Sequence, residues 1–240
     1  MTFCALAILI PTSGPNNAIA QENANSVSAL RSKVTFNPPA GDKPKMSQAG
    51  ASRGSGECIS QAENSDLPFV PLLPVSEQAL TVASHPTVLA SLPETSAQKI
   101  LFSWRDENSN DHYQTILPID NQGAVTSFTL PEDAPPLEVG KTYHWALAIM
   151  CDGKLRPDTP TIQGQIRRVT LESAISDRLE TANILESAII YGEAGIWYET
   201  VANLAQLKTA APSDRNLNSN WEDLLTSVGL EKISQVPTTK

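Results

Sequence analysis

The feature that most constrains this chain is a change of hydrophobic period at Leu171. Before it, apolar residues recur at every second position in short runs cut by Pro, Gly, Asn and Asp; after it they recur every third or fourth. Side chains alternate across a strand but return to one helix face every about 3.6 residues, so the first pattern predicts strands and the second helices. Strands first and helices second point to an α+β fold.

The strand region runs from Leu67 to Leu171. Lys99–Trp104 puts Ile100, Phe102 and Trp104 on one face. Lys141–Cys151 does the same with Tyr143, Trp145, Leu147, Ile149 and Cys151, leaving His144, Ala146 and Ala148 opposite. Thr87–Leu92, His112–Leu117, Val125–Leu130 and Thr161–Val169 are further candidates, and Asp152-Gly153 is a hairpin signal. Leu67–Leu73 contains Pro68 and Pro71, which confine it to a sheet edge. Seven or eight such strands predict an antiparallel sandwich of two sheets. The corner from Leu137 through Gly140 to Tyr143 resembles the tyrosine corner of immunoglobulin- and fibronectin-like sandwiches. Cys58 precedes all these strands, so any bridge from it is not the usual one between sheets.

Beyond Leu171, Ser173–Thr181 is a short helix candidate, and Asn183 with Glu186 reads as a capping box. The helix it opens carries Leu185, Ala188 and Ile189 inward and is interrupted by Gly192 and Gly195. A second bears Trp197, Val201, Leu204 and Ala205 and stops at Pro212. In the third, Leu217, Trp221, Leu224, Leu225 and Val228 form one stripe that ends at Gly229-Leu230, the pattern of a Schellman cap. Leu185–Ala194 and Ile196–Ala210 resemble one tetratricopeptide-like hairpin; the alternative is helices that pack on the sandwich or on each other. Trp104, Tyr143, Trp145, Trp197 and Trp221 are expected to be structural. With Trp197 inward, Tyr198 falls near the helix rim and becomes the candidate partner-binding residue, core packing being the alternative.

Residues 1–20 have the layout of a secretory signal peptide. Phe3–Ile10 is an apolar run, Pro11 to Pro15 break it, and Ala18-Ile19-Ala20 supplies the small residues of a cleavage site. The run is shorter than the about 20 residues a membrane span requires, and no Lys or Arg precedes Phe3. Cleavage after Ala20 removes Cys4 and leaves Cys58 and Cys151, which an oxidising compartment would join, the alternative being two separate buried thiols. The expected location is the periplasm or the extracellular space, with no membrane span in the mature chain.

Residues 21–57 are poor in apolar side chains and rich in Asn, Ser, Pro and Gly, the composition of a flexible tether. They hold Arg31, Lys33, Lys43, Lys45 and Arg53 against Glu22, Asp42 and Glu57, a balance of +2. The whole chain carries −9 and residues 1–20 carry no charge, so residues 58–240 stand at −11. Such an acidic body argues against nucleic acid and against docking on anionic lipid, both of which require clustered Lys and Arg. The organisation expected is therefore signal peptide 1–20, tether 21–57, sandwich 58–171, helical unit 172–234 and a frayed tail 235–240.

Catalytic and metal motifs are wanting. Asp106-Glu107-Asn108-Ser109-Asn110 suggests a calcium loop, but the sixth and twelfth positions, Gly and Glu in an EF-hand, are Asp111 and Leu117. It reads better as a polar hairpin tip. His85, His112 and His144 show no metal-ligand spacing with one another or with the cysteines. No nucleophile elbow, phosphate loop, dinucleotide fingerprint or zinc-protease motif is present, so no catalytic residue, metal or cofactor is assigned.

Several stretches resemble one family: Ala51-Ser52-Arg53-Gly54 ahead of Cys58, Ala79–Ala83 with His85-Pro86-Thr87, Pro131–Tyr143, Ile149–Asp152, Gly195–Tyr198 and Trp221–Leu230. Together they resemble a cyanobacterial family known as domain of unknown function 928, over about four-fifths of the chain. The resemblance implies export in a cyanobacterium and brings no activity, ligand or site residue. The expected role is a non-catalytic interaction module that meets another envelope protein. The alternatives are an envelope hydrolase built on paired carboxylates such as Glu132, Asp133 or Glu138, and a sandwich that binds a glycan or small ligand at its loops.

Overall fold

The two hydrophobic periods separate into two kinds of layer. The computed structural model describes residues 33–39, 58–59, 67–74, 79–120 and 123–239, and the part from Val34 onward belongs to one unit. The proposed signal peptide and most of the tether lie outside the described residues.

Nine strands form two sheets among the described residues. They are β1 (Val70–Pro71), β2 (Leu80–Thr81), β3 (Thr87–Leu92), β4 (Lys99–Asp106), β5 (Asp111–Pro118), β6 (Ala124–Thr129), β7 (Thr142–Ile149), β8 (Thr161–Arg168) and β9 (Thr238–Thr239). One sheet has the order β1-β3-β6-β9 and the other β2-β8-β7-β4-β5. Pairing is antiparallel except for β2 with β8 and β6 with β9. Four helices follow β8: α1 (Ser173–Leu179), α2 (Ile184–Glu193), α3 (Trp197–Ala210) and α4 (Arg215–Ser227). The fold is α+β.

Alternation places the core as the sequence predicts. Ile100, Phe102 and Trp104 of β4 and Tyr143, Trp145, Leu147 and Ile149 of β7 are buried on matching faces, paired Ile100 to Ile149, Phe102 to Leu147 and Trp104 to Trp145. Phe102 meets Phe128 of β6 at 6.1 Å between ring centroids, so the two sheets touch through their inward faces. Pro71 ends a two-residue edge strand, where its missing N–H breaks no ladder. At the expected corner the Tyr143 hydroxyl accepts from the Glu138 backbone N–H at 3.1 Å.

Helix ends follow their sequence signals. The Asn183 side chain accepts from Glu186 N–H while Glu186 accepts from Asn183 N–H, which closes the capping box of α2. Leu230 N–H bonds to Leu225 C=O and Gly229 N–H to Thr226 C=O, both bonds of a Schellman cap, with Gly229 at φ 82°. Gly192 does not interrupt α2, which runs to Glu193; Gly195, at φ 73°, makes the turn into α3.

Two ends of the chain differ from expectation. The tail expected to fray has Val236 buried and Thr238–Thr239 paired beside β6, with Val125 N–H on Pro237 C=O at 2.8 Å. Two β-forming threonines beside an open sheet edge outweigh the lack of an apolar run. Within the stretch assigned to the tether, residues 34–39 lie against the helices. Cys58 is joined to Cys151 by a disulfide with Cα atoms 5.4 Å apart, and its carbonyl accepts from the Thr95 hydroxyl and Ser96 N–H. Among the described residues no helix is long and apolar enough to cross a membrane.

Candidate functional site: a groove on the helices filled by residues 34–39

Val34-Thr35-Phe36-Asn37 alternates as an extended segment should: Val34 is 1% exposed, Thr35 is exposed, Phe36 is half-buried and Asn37 is exposed. The segment donates to the helices at both ends. Val34 N–H bonds to Asn220 Oδ1 of α4 at 2.7 Å, and Asn37 N–H bonds to Gly192 C=O of α2 at 2.9 Å. Asn37 Nδ2 also reaches Glu193 C=O at 3.4 Å. The last carbonyls of a helix have no partner further along it, so these donors add to the Gly195 N–H that already bonds to the Gly192 carbonyl at 3.2 Å. Between the two ends, Phe36 meets Trp197 of α3 edge to face, with centroids 5.0 Å apart.

Two glycines make the close approach possible. A Cβ on Gly192 would stand 2.0 Å from Thr35 C=O, and one on Gly195 would stand 2.8 Å from Asn37 C=O. Asn220 is buried at 4% exposure on the inner side of α4; its amide is taken by Asn216, and its oxygen is left for the segment. The sequence reading missed Val34, Phe36, Gly192, Gly195 and Asn220 as a group. The signals available were the Val-x-Phe alternation inside a polar stretch and an Asn beside an apolar helix stripe.

Beneath the groove, α3 is fastened to the sheets by three successive residues. Trp197 Nε1 donates to Leu72 C=O at 2.8 Å. The Tyr198 hydroxyl accepts from Trp145 Nε1 at 2.8 Å and donates to Gln165 C=O at 2.9 Å. Glu199 Oε1 accepts from the Thr81 hydroxyl and from the Val82 and Ala83 N–H groups at 3.1 and 3.0 Å. Tyr198 is therefore not the rim residue proposed for a partner. It is 2% exposed, because both of its neighbours in sequence also point to the sheets and its hydroxyl has two partners there, the buried Trp145 and the Gln165 main chain. Burial pushes its phenol far above the usual range and raises the Glu199 carboxyl, against the pull of the Thr81 and backbone donors.

The other sequence candidates lie apart from the groove. Trp104, Tyr143, Trp145, Trp197 and Trp221 are all buried. His85 bonds to Ala134 C=O, and His112 bonds to Pro135 C=O while its ring meets that of Tyr143 at a tilt, with centroids 4.9 Å apart. Asp106 closes the β4–β5 tip by accepting from Asn108 N–H, Asn110 N–H and Asn110 Nδ2, bonds that hold its carboxyl below the usual range. Glu132, Asp133 and Glu138 are exposed, and Glu138 pairs with Lys141 at 2.9 Å. Glu199, the carboxyl that burial raises, has a hydroxyl and two amides as partners and no second acid among them.

A family model described as Domain of Unknown Function (DUF928) matches residues 48–238. No curated protein matches the chain. The matched stretch contains α2, α3 and α4, and it leaves out the segment that fills their groove.

Proposed function

The chain belongs to the DUF928 family, whose description assigns no activity, and we propose that it is an exported, non-catalytic interaction module that binds through its helices. One observation carries this reading: α2, α3 and α4 already hold an extended peptide, by main-chain hydrogen bonds and two side-chain anchors. That is how domains that recognise linear segments work, with affinity from the backbone and selectivity from alternate side chains. We read the two sheets as an immunoglobulin- or fibronectin-like sandwich over 58–171, on the strength of the Tyr143–Glu138 corner, and α2–α3 as a tetratricopeptide-like hairpin within 172–234. The Cys58–Cys151 bridge supports an exported location, since such bonds persist in oxidising compartments.

The alternatives have less behind them. A carboxylate-pair hydrolase requires two acids flanking one bond, and the buried Glu199 has no acid among its partners. A glycan platform requires exposed aromatics, and all four tryptophans are buried. Parallel arrays of short peptides and of glycans, probed with the mature protein, test the reading. Retention on peptides with an apolar and an aromatic residue two positions apart is expected; retention on glycans alone would overturn it.

A further inference from the structure

Three features of the helices meet an extended backbone that lies on them. Asn220 presents a buried amide oxygen toward a main-chain donor. The Gly192 and Glu193 carbonyls at the end of α2 accept from the segment. Gly192 and Gly195 carry no side chain where a peptide carbonyl comes within 2.0 and 2.8 Å of a Cβ position. All of these lie inside the stretch matched by the family model, while the occupant lies ahead of it. The groove is thus part of the matched stretch, while the residues that fill it precede that stretch in sequence and belong to the same compact unit.

That piece holds its recognition within four residues, Val34 to Asn37. Val34 to Asn37 are uncharged, but the stretch 21–57 that carries them stands at +2 and residues 58–240 at −11, so the stretch and a body attract wherever they meet, including on two different molecules. The 18 residues 40–57, with Gly41, Gly50, Gly54 and Gly56, join the segment to Cys58. The chain's own segment is thereby presented within one molecule, and the general scale for such intramolecular competition is on the order of 1 mM. A second copy, which offers identical contacts, competes as concentration rises toward that value.

We propose that the α2–α3–α4 groove is an exchangeable peptide site: it takes an extended apolar-x-aromatic-Asn segment, and its occupant in trans is residues 34–37 of a second copy. This rests on the reading of the helices as an interaction surface, and the test separates the two.

The first arm uses the full chain carrying Val34→Ala and Phe36→Ala, with folding checked by thermal melting, and a fluorescent peptide of residues 33–40. Saturable binding about tenfold or more tighter than to the unaltered chain, and its loss on adding Gly192→Ala, is expected. A folded double variant that ignores the peptide overturns the site and the helical-surface reading with it. The second arm does not depend on that variant's folding. Isotopically light and heavy copies of the full chain are mixed, each with a photoreactive phenylalanine analogue at position 36. Light–heavy crosslinks near Trp197 that rise with concentration support exchange. Crosslinks confined to single chains at every concentration up to about 1 mM exclude the second copy and leave the peptide site standing.

Discussion

Helix α3 is held on two sides by different means. Toward the sheets, Trp197, Tyr198 and Glu199 each bond to a different element, with buried side chains as donors or acceptors. Toward residues 34–37, α3 offers the Trp197 ring to Phe36, while the segment's two main-chain N–H bonds and the Asn37 amide go to the flanking helices α4 and α2 and Val34 is buried. Burying Val34 and half of Phe36 stabilises by about 3–4 kcal/mol, and three hydrogen bonds add about 1 kcal/mol each. Ordering four residues costs about 1–2 kcal/mol each, which leaves the segment within a few kcal/mol of release. The sheet-facing side of α3 therefore serves a fixed joint, while the outer side of the three helices carries a weak, separable contact.

Trp197 is the residue on which the two sides meet, since its indole N–H bonds to Leu72 while its ring receives Phe36. Trp197→Ala should cost about 3–5 kcal/mol in denaturant unfolding and also free residues 34–37. A loss confined to the segment would show that the joint does not depend on Trp197. Tyr198→Phe separates the sides. It leaves the Trp145 Nε1–H and the Gln165 carbonyl without their partner and should cost about 1–3 kcal/mol, while hydrogen exchange at Val34 and Asn37 stays slow. Equal loss of protection there would merge the two regions into one.

Glu199 gives the joint a pH dependence. Its folded carboxyl is raised by burial, so the folded state keeps a proton that the unfolded chain releases. Stability is then greatest below the ordinary carboxyl range, falls as pH climbs from there through the raised value, and is level above it. Glu199→Gln keeps an oxygen for Thr81, Val82 and Ala83 without the charge. Melting across that window should be flatter for the variant, with a higher melting temperature at neutral pH. An unchanged profile would assign the dependence to other groups.

How much of this was legible follows from range. Local signals held: the alternation of β4 and β7, the capping box at Asn183 and the cap at Gly229 each depend on a few neighbouring residues. The groove was not legible, because Val34 meets a residue 186 positions away and Phe36 meets Trp197. Two apolar side chains in a polar stretch look like a tether until a partner surface is known. Tyr198 was misplaced for a related reason: helical spacing gives the angle between Trp197 and Tyr198, but the sheets cover a face wide enough to bury both. The tail was misread because β9 pairs with β6, and no local pattern announces an open edge so far away.

The smallest effect on global stability, and the cleanest cut between the two sides, should come from Gly192→Ala. The backbone at Gly192 is helical, and alanine is favoured over glycine in a helix by about 1 kcal/mol, so α2 itself should gain. The new Cβ has only ordinary contact with Thr200, at 3.4 Å, but would overlap the Thr35 carbonyl at 2.0 Å. The segment must move, and its few kcal/mol of offsetting terms leave little to oppose the shift. Global unfolding should then change by less than about 1 kcal/mol, while the Val34 and Asn37 amides lose their protection from hydrogen exchange. If both amides remained slow in a folded Gly192→Ala protein, the tight approach would not be what seats the segment. The distinction between a fixed and a releasable side of α3 would then rest on Phe36 and Asn220 alone.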